Sequence, residues 1–179
     1  MSIDKRREAV LSAAMIEFAK YGYEAASTTA IAQRVGVSQP YLFKLFPTKH
    51  AIFMATIERS VEEIETSLRK AAEGLTGLAA IDAMRNRYIE LLTETKLLQF
   101  QLQLFSAASA DTESQELGRR ALAQLWCTVA ELTGEEPAEI LRFFSTGMLL
   151  NVMIALGIPV RTDRNELAVS LHEWAAQSH

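Results

Sequence analysis

Gln39, Pro40, Tyr41 and Lys44 fall within six consecutive residues and offer an amide, an apolar ring, a phenol and an ammonium. An amide can pair the edge of an adenine, and an apolar ring can meet a thymine methyl. An ammonium can reach a phosphate or a guanine edge. Pro40 also lacks an N–H that would be unbonded in the first turn of a helix anyway. Lys49 is informative through its cost, since a cation in the first turn of a helix opposes the macrodipole by roughly 0.3–1 kcal/mol. It is therefore expected on a phosphate, with the backbone N–H groups after Thr48 helping. Ser27, Thr28 and Thr29 can bind phosphate in the same way, and for Ser27 a plain capping role is as good a reading. Ser38 completes the set of hydroxyls beside Gln39. The chemistry of this set is contact with double-stranded DNA.

Two short helices must hold it. Ser27 can cap a helix over residues 27–35, with Ile31, Ala32 and Val35 facing inward. Gly36 supplies a tight turn, Val37 plugs the interior, and Ser38 caps a second helix over residues 38–46. Small Ala32 lets the two helices cross closely. This is a helix-turn-helix, whose second helix presents its first residues to base edges. Leu42 and Phe46 point inward and Phe43 is expected in the core. The outward arc centres on Lys44, with Gln39 at the tip. Arg6 and Arg7 can follow the phosphate backbone as an arm or stand as solvated charges.

Charge agrees once the chain is divided. The net charge is −4, but residues 1–53 carry seven basic side chains against four acidic ones, a net +3. The remainder carries eleven against eighteen, a net −7. A basic head on an acidic body can orient itself on a phosphate backbone through its own field.

Outside the head the pattern is helical almost throughout, so the expected fold class is all-α. Asp4 can cap a first helix ended by Gly22, with Val10, Ala14, Phe18 and Tyr21 on one face. Thr48 can cap a long helix over residues 49–73, on which Glu62, Glu63 and Glu65 form a solvated face. Further helices are expected over 78–95 and from a cap at Asp111 to Gly134, and another from Pro137 to near Leu156. Asp163 and Glu166 suit the cap of a last helix. Residues 98–104 alternate apolar and polar, but no second alternating run could pair with them. They read as a helix with Leu98, Leu102 and Phe105 on one side.

The helix that starts at Pro137 is apolar around most of its circumference, so it must be buried on two sides. With Leu149, Val152, Met153, Leu167, Leu171 and Trp174 it suggests a homodimer through a four-helix bundle. An inter-subunit hydrogen bond suits Asn151, and a surface position suits Arg142. Tyr88, Leu92, Phe100, Leu104, Phe105, Trp126, Phe144 and Met148 are candidates to line a pocket for a small, mainly apolar effector; each is equally at home in a plain core.

Catalysis is not expected. The three histidines, His50, His172 and His179, lie far apart in sequence. Metal-ligand spacing, a phosphate loop and a nucleophile elbow are all missing. No cofactor and no metal are expected. One cysteine, Cys127, allows no internal disulfide and fits a reducing cytoplasm. No signal peptide is recognisable, and the apolar run 148–156, broken by Asn151, is too short to span a bilayer.

The head resembles the TetR family of bacterial transcriptional regulators. The resemblance rests on Phe18, Tyr21-Gly22-Tyr23, Ile31-Ala32, Gly36-Val37-Ser38 and Phe46-Pro47-Thr48-Lys49 at their mutual spacing. It implies a DNA-binding domain over residues 1–48 and a ligand-binding and dimerisation domain over 49–179, joined by the long helix. It also implies a homodimer, usually a repressor, on a palindromic operator, released when a small molecule shifts the long helix. Two heads meeting successive major grooves about 34 Å apart would lose contacts in both half-sites on a small change of spacing. The family's usual tyrosine and histidine in the second helix are Phe43 and Lys44 here, so the hydroxyl contact to phosphate passes to Tyr41, and Lys44 can reach a phosphate or a guanine edge. The alternative is a DNA-binding dimer without an effector, its body serving dimerisation alone.

Overall fold

A computed structural model describes residues 2–94, 96–160 and 164–177. Among the described residues the chain forms nine helices and no strand. These are α1 (Ile3–Ala25), α2 (Thr28–Val35), α3 (Gln39–Leu45), α4 (Lys49–Ala71), α5 (Gly77–Glu94), α6 (Leu97–Ala108), α7 (Thr112–Thr133), α8 (Pro137–Ala155) and α9 (Arg164–Gln177). The all-α expectation holds. Several boundaries follow from caps legible in the sequence. Thr48 Oγ1 accepts from the Ala51 amide at 3.0 Å, and Asp111 Oδ2 accepts from the Ser114 amide at 2.7 Å. Each satisfies a first-turn donor that the helix itself leaves unpaired.

Other expectations need correction. The first helix is capped by Ser2, whose side chain accepts from the Lys5 amide; Asp4 lies inside the first turn. Gly22, with φ +75° and ψ 173°, breaks α1 without ending it, because one further turn runs to Ala25. That backbone region is open to glycine and strained for other residues. The capping pair Asp163 and Glu166 lies outside the residues whose side chains are described.

The chain packs as two compact units: one comprises residues up to Glu63 together with Gln99–Ala123, the other Ile64–Leu98 and residues from Gln124 on. The division between these packing units falls within α4. The first unit takes in most of α6, where Phe100 is buried and Leu104 half-buried against its core. Phe100 enters the core of the first unit beside Phe18 and Phe53, with the Phe53 and Phe100 ring centroids 5.8 Å apart. Phe18 and Phe53 meet edge to face at 5.0 Å, a favoured aromatic geometry. Of Leu98, Leu102 and Phe105, expected on one side, Leu98 is buried while Leu102 and Phe105 are exposed.

The second unit has two apolar clusters. Ile64, Leu68, Ile81, Met84, Val129 and Ile140 build one, with Trp126 stacked on Phe144 at 5.5 Å beside it. Ile89, Leu92, Leu98, Leu150, Met153 and Leu167 build the other. Glu65 is not part of a solvated face. Its carboxylate accepts from Thr128 Oγ1 at 2.9 Å and Arg69 Nε at 3.0 Å, and from Gln124. Burial pushes this carboxyl up, but the three hydrogen bonds outweigh it and leave it below its ordinary value.

Asn151 is also corrected. It is buried, and its Oδ1 accepts from the Tyr88 hydroxyl at 3.1 Å, so its partner lies in the same chain. Arg142 is exposed as expected and pairs with Glu139. By length and composition α8 is apolar enough to cross a membrane, which the shorter run 148–156 had concealed. Its Ile140, Leu150, Asn151 and Met153 are instead buried within the second unit.

Candidate nucleic-acid interface

The geometry of α2 and α3 begins with three local devices. Ser27 Oγ accepts from the Ala30 amide at 3.2 Å and starts α2. Gly36 ends it in the left-handed region, at φ +74° and ψ 34°. That conformation lets the Val37 amide turn back to the Ala32 carbonyl at 3.0 Å. Ser38 then starts α3 by accepting from the Tyr41 amide at 3.3 Å, with Pro40 in the first turn. Ile31, Ala32, Leu42 and Phe46 are buried against Val10, Ala14 and Phe18. This core fixes which face of α3 looks outward.

Helix α1 holds both short helices by polar contacts. Glu17, only 4% exposed, accepts from the Ser27 amide at 3.2 Å, and its second oxygen lies 4.0 Å from Arg34. Arg7 donates to the Leu45 carbonyl at 2.6 Å and lies 4.2 Å from the Phe46 ring centroid. A cation on the last carbonyls of α3 also suits the helix dipole. Neither arginine of the expected arm hangs free: Arg6 lies over the Tyr41 ring at 5.2 Å. Sequence reasoning missed these anchors, and the only sequence signal for them is the place of Arg6, Arg7 and Glu17 on the first helix.

The expected contact residues divide into two sets. Ser27, Thr29, Ser38, Pro40 and Lys44 are exposed, whereas Thr28, Gln39, Tyr41 and Lys49 are half-buried. Gln39 Nε2 donates to Thr28 Oγ1 at 2.8 Å, so its amide is already oriented. Lys49 does not reach outward as expected. Its Nζ donates to the Glu24 carbonyl at 2.8 Å and lies 5.2 Å from the Tyr23 ring centroid. This carbonyl is a partner for a cation in the first turn of α4. Phe43 is corrected as well: at 37% exposed it stands outside the core.

The eight candidates for an effector pocket fall in both units. Phe100 and Leu104 belong to the core of the first unit, while Tyr88, Trp126 and Phe144 pack on one cluster of the second. Leu92 lies in its other cluster, and Phe105 and Met148 are exposed. None of them lines a groove of about 490 Å³ in the first unit, between the end of α1, the start of α4, and α6–α7. That groove is lined by Tyr21, Tyr23, His50, Gln103, Ser106 and Asp111, among others. Here the His50 ring nitrogens lie 3.3 Å from Asp111 Oδ2 and 3.5 Å from Glu113 Oε2. Hydrogen bonds from Ser114, side chain and backbone, then His50, hold the Asp111 carboxyl down at about 2.

Of the six residues expected between subunits, Leu149, Val152 and Trp174 are exposed and Leu171 is half-buried. Met153 and Leu167 are buried in their own chain's core and present no surface to a partner. Leu141, Met148 and Leu156 extend the exposed stripe of α8, at helical spacing from Leu149 and Val152.

Residues 10–56 match the family described as "Bacterial regulatory proteins, tetR family". The transcriptional activator FasR of Mycolicibacterium smegmatis is 37% identical over 73 residues, 41% of this chain and 33% of that protein. The transcriptional repressor KstR of the same organism is 31% identical over 122 residues, 64% of this chain and 58% of its own. The chain thus spans only part of the curated relatives it matches. A crystal structure of a TetR family transcription regulator from Marinobacter aquaeolei VT8 shares the fold with a TM-score of 0.70 at 18% identity, over 94% of this chain and 93% of that one. The head of this chain, residues 10–56, thus matches the tetR family of bacterial regulatory proteins.

Proposed function

We propose that the protein is a sequence-specific transcriptional repressor that binds a palindromic operator as a homodimer in the bacterial cytoplasm. One observation carries the reading. The left-handed turn at Gly36 and the Ser38 cap hold α3 against a buried core and leave Pro40, Phe43 and Lys44 on its outer face. A helix so presented on a basic head fits a major groove, and its cation fits the phosphate beside it. The exposed stripe of α8 supports pairing of two copies, which two-fold operator symmetry requires. Repression rather than activation rests on the relative matched over the longer stretch, KstR, which bears the name repressor.

Release by a small, mainly apolar effector belongs to this reading, and the alternative without an effector has an observation in its favour. Of the eight side chains that would line the pocket, Phe100 and Leu104 pack in the core of the first unit, and Phe105 and Met148 are exposed. Screening apolar small molecules for a rise in melting temperature separates the two, because a ligand that binds only the native state raises it. Function itself is tested by selecting bound sequences from a random DNA pool at near-physiological salt. An enriched palindrome with half-sites one helical turn apart supports the reading, and a reporter driven through that palindrome should fall silent when the protein is present. A folded dimer that enriches no sequence overturns it.

A further inference from the structure

The outer face of α3 is unusual for a surface meant to meet polar base edges. Its exposed residues are Pro40, Phe43 and Lys44, three and four residues apart, so a ring, a phenyl group and one cation share a side of the helix. Phe43 is 37% exposed although Leu42 and Phe46, its neighbours on the inner side, are at most 2% exposed. The one amide at the tip, on Gln39, already donates a hydrogen bond to Thr28. In a major groove the sole apolar feature of a base edge is the C5-methyl group of thymine. A phenyl and a pyrrolidine side by side match such methyls and supply no donor or acceptor to a guanine or cytosine edge.

Resting on the DNA-binding reading above, we propose that Pro40 and Phe43 make the head a reader of thymine methyl groups, with Lys44 anchoring the adjacent phosphate. Phe43 is then a specificity-determining residue, a role distinct from the phosphate contact of a tyrosine hydroxyl at this position. The site takes pyrimidines carrying a 5-methyl group and prefers them to the same bases without it.

The test uses the full-length protein and the sequence it selects. Each thymine of one half-site is replaced singly by deoxyuridine, which removes the methyl and keeps every hydrogen-bonding group. Loss of one buried methyl is expected to weaken binding roughly fourfold at one or two positions. The same change in both half-sites should weaken it about fifteenfold. Phe43→Ala should lose the discrimination between thymine and uracil at one position and keep it at the position met by Pro40, and Phe43→Tyr, which keeps the ring, should discriminate at both. Affinity unchanged within about twofold at every position overturns the proposal, even if the operator is bound tightly. Failure to select any sequence overturns the DNA-binding reading itself, and this inference with it.

Discussion

Gln39 Nε2 donates to Thr28 Oγ1 across 2.8 Å, joining the tip of α3 to the first turn of α2. Sequence alone makes them separate DNA contacts, one for a base and one for a phosphate. Their bond makes them a unit in which Thr28 aims the amide. Thr28→Val removes the acceptor and keeps the shape. Unfolding in urea should show a loss of about 0.5–1.5 kcal/mol. Repeated selection from random DNA should give a motif that is broader at the base facing Gln39. A motif of unchanged sharpness would mean that Thr28 does not aim this side chain.

A second consequence concerns Glu17, buried at 4% exposure and accepting from the Ser27 amide at 3.2 Å. Its role is to tie α1 to the start of α2, so shape and an acceptor matter more than charge. Glu17→Ala leaves a partly buried N–H without a partner and should destabilise the fold by about 1–3 kcal/mol. Glu17→Gln keeps the acceptor and should recover most of that loss in the same urea titration. If both variants lose equally, the pairing with Arg34 at 4.0 Å is the stronger bond.

The head was legible because its signals are local. Ser27, Gly36, Ser38 and Thr48 act within a few residues of themselves, and each performs its expected backbone role. The partners of long side chains were not legible. The cost of a cation in a first turn points Lys49 to a phosphate, whereas its partner in the fold is the Glu24 carbonyl, twenty-five residues away. Asn151 likewise finds Tyr88 within its own chain. Phe100 shows the same limit for packing. Spacing gathers Leu98, Leu102 and Phe105 on one side of its helix, and does not tell that Phe100 enters the core of the first unit.

Asp111 gives a prediction with a sign. Its carboxyl lies at about 2, below the ordinary 3.8, held there by Ser114 and His50. A depressed carboxylate contributes stability above its unfolded value and loses that contribution as pH falls through the folded one. Asp111→Asn keeps a capping acceptor for α7 and removes the titration. The stability difference between the two proteins should be constant above about pH 4 and shrink towards about pH 2. Chemical denaturation at a series of acid pH values checks it, and a difference that grows on acidification would contradict the assignment.

Val152 is 50% exposed in the middle of the apolar stripe on α8, beside Leu149 and Met148. A charge there meets water in a single chain and low dielectric in a paired one. Val152→Glu should therefore leave the helical content unchanged and shift the protein from dimer to monomer in sedimentation. DNA affinity should drop with it, since two half-sites would no longer be bound together. A variant that stays dimeric would move the interface off this face.

Lys44 and Lys49 separate binding from stability most clearly. Lys44 is exposed on the outer side of α3, whereas the Lys49 ammonium is committed to the Glu24 carbonyl at 2.8 Å and to the Tyr23 ring. Each lysine that neutralises a phosphate steepens the salt dependence of binding by about 0.9 in the logarithmic slope. Lys44→Ala should flatten the slope by that amount per subunit and weaken every DNA sequence alike. Lys49→Ala should leave the slope unchanged and instead lower stability by about 1 kcal/mol, through the lost hydrogen bond between α4 and the end of α1. Binding isotherms at several salt concentrations, set beside urea titrations of the same two variants, resolve the two roles. If Lys49→Ala alone flattens the slope, its ammonium leaves the Glu24 carbonyl for a phosphate when DNA arrives.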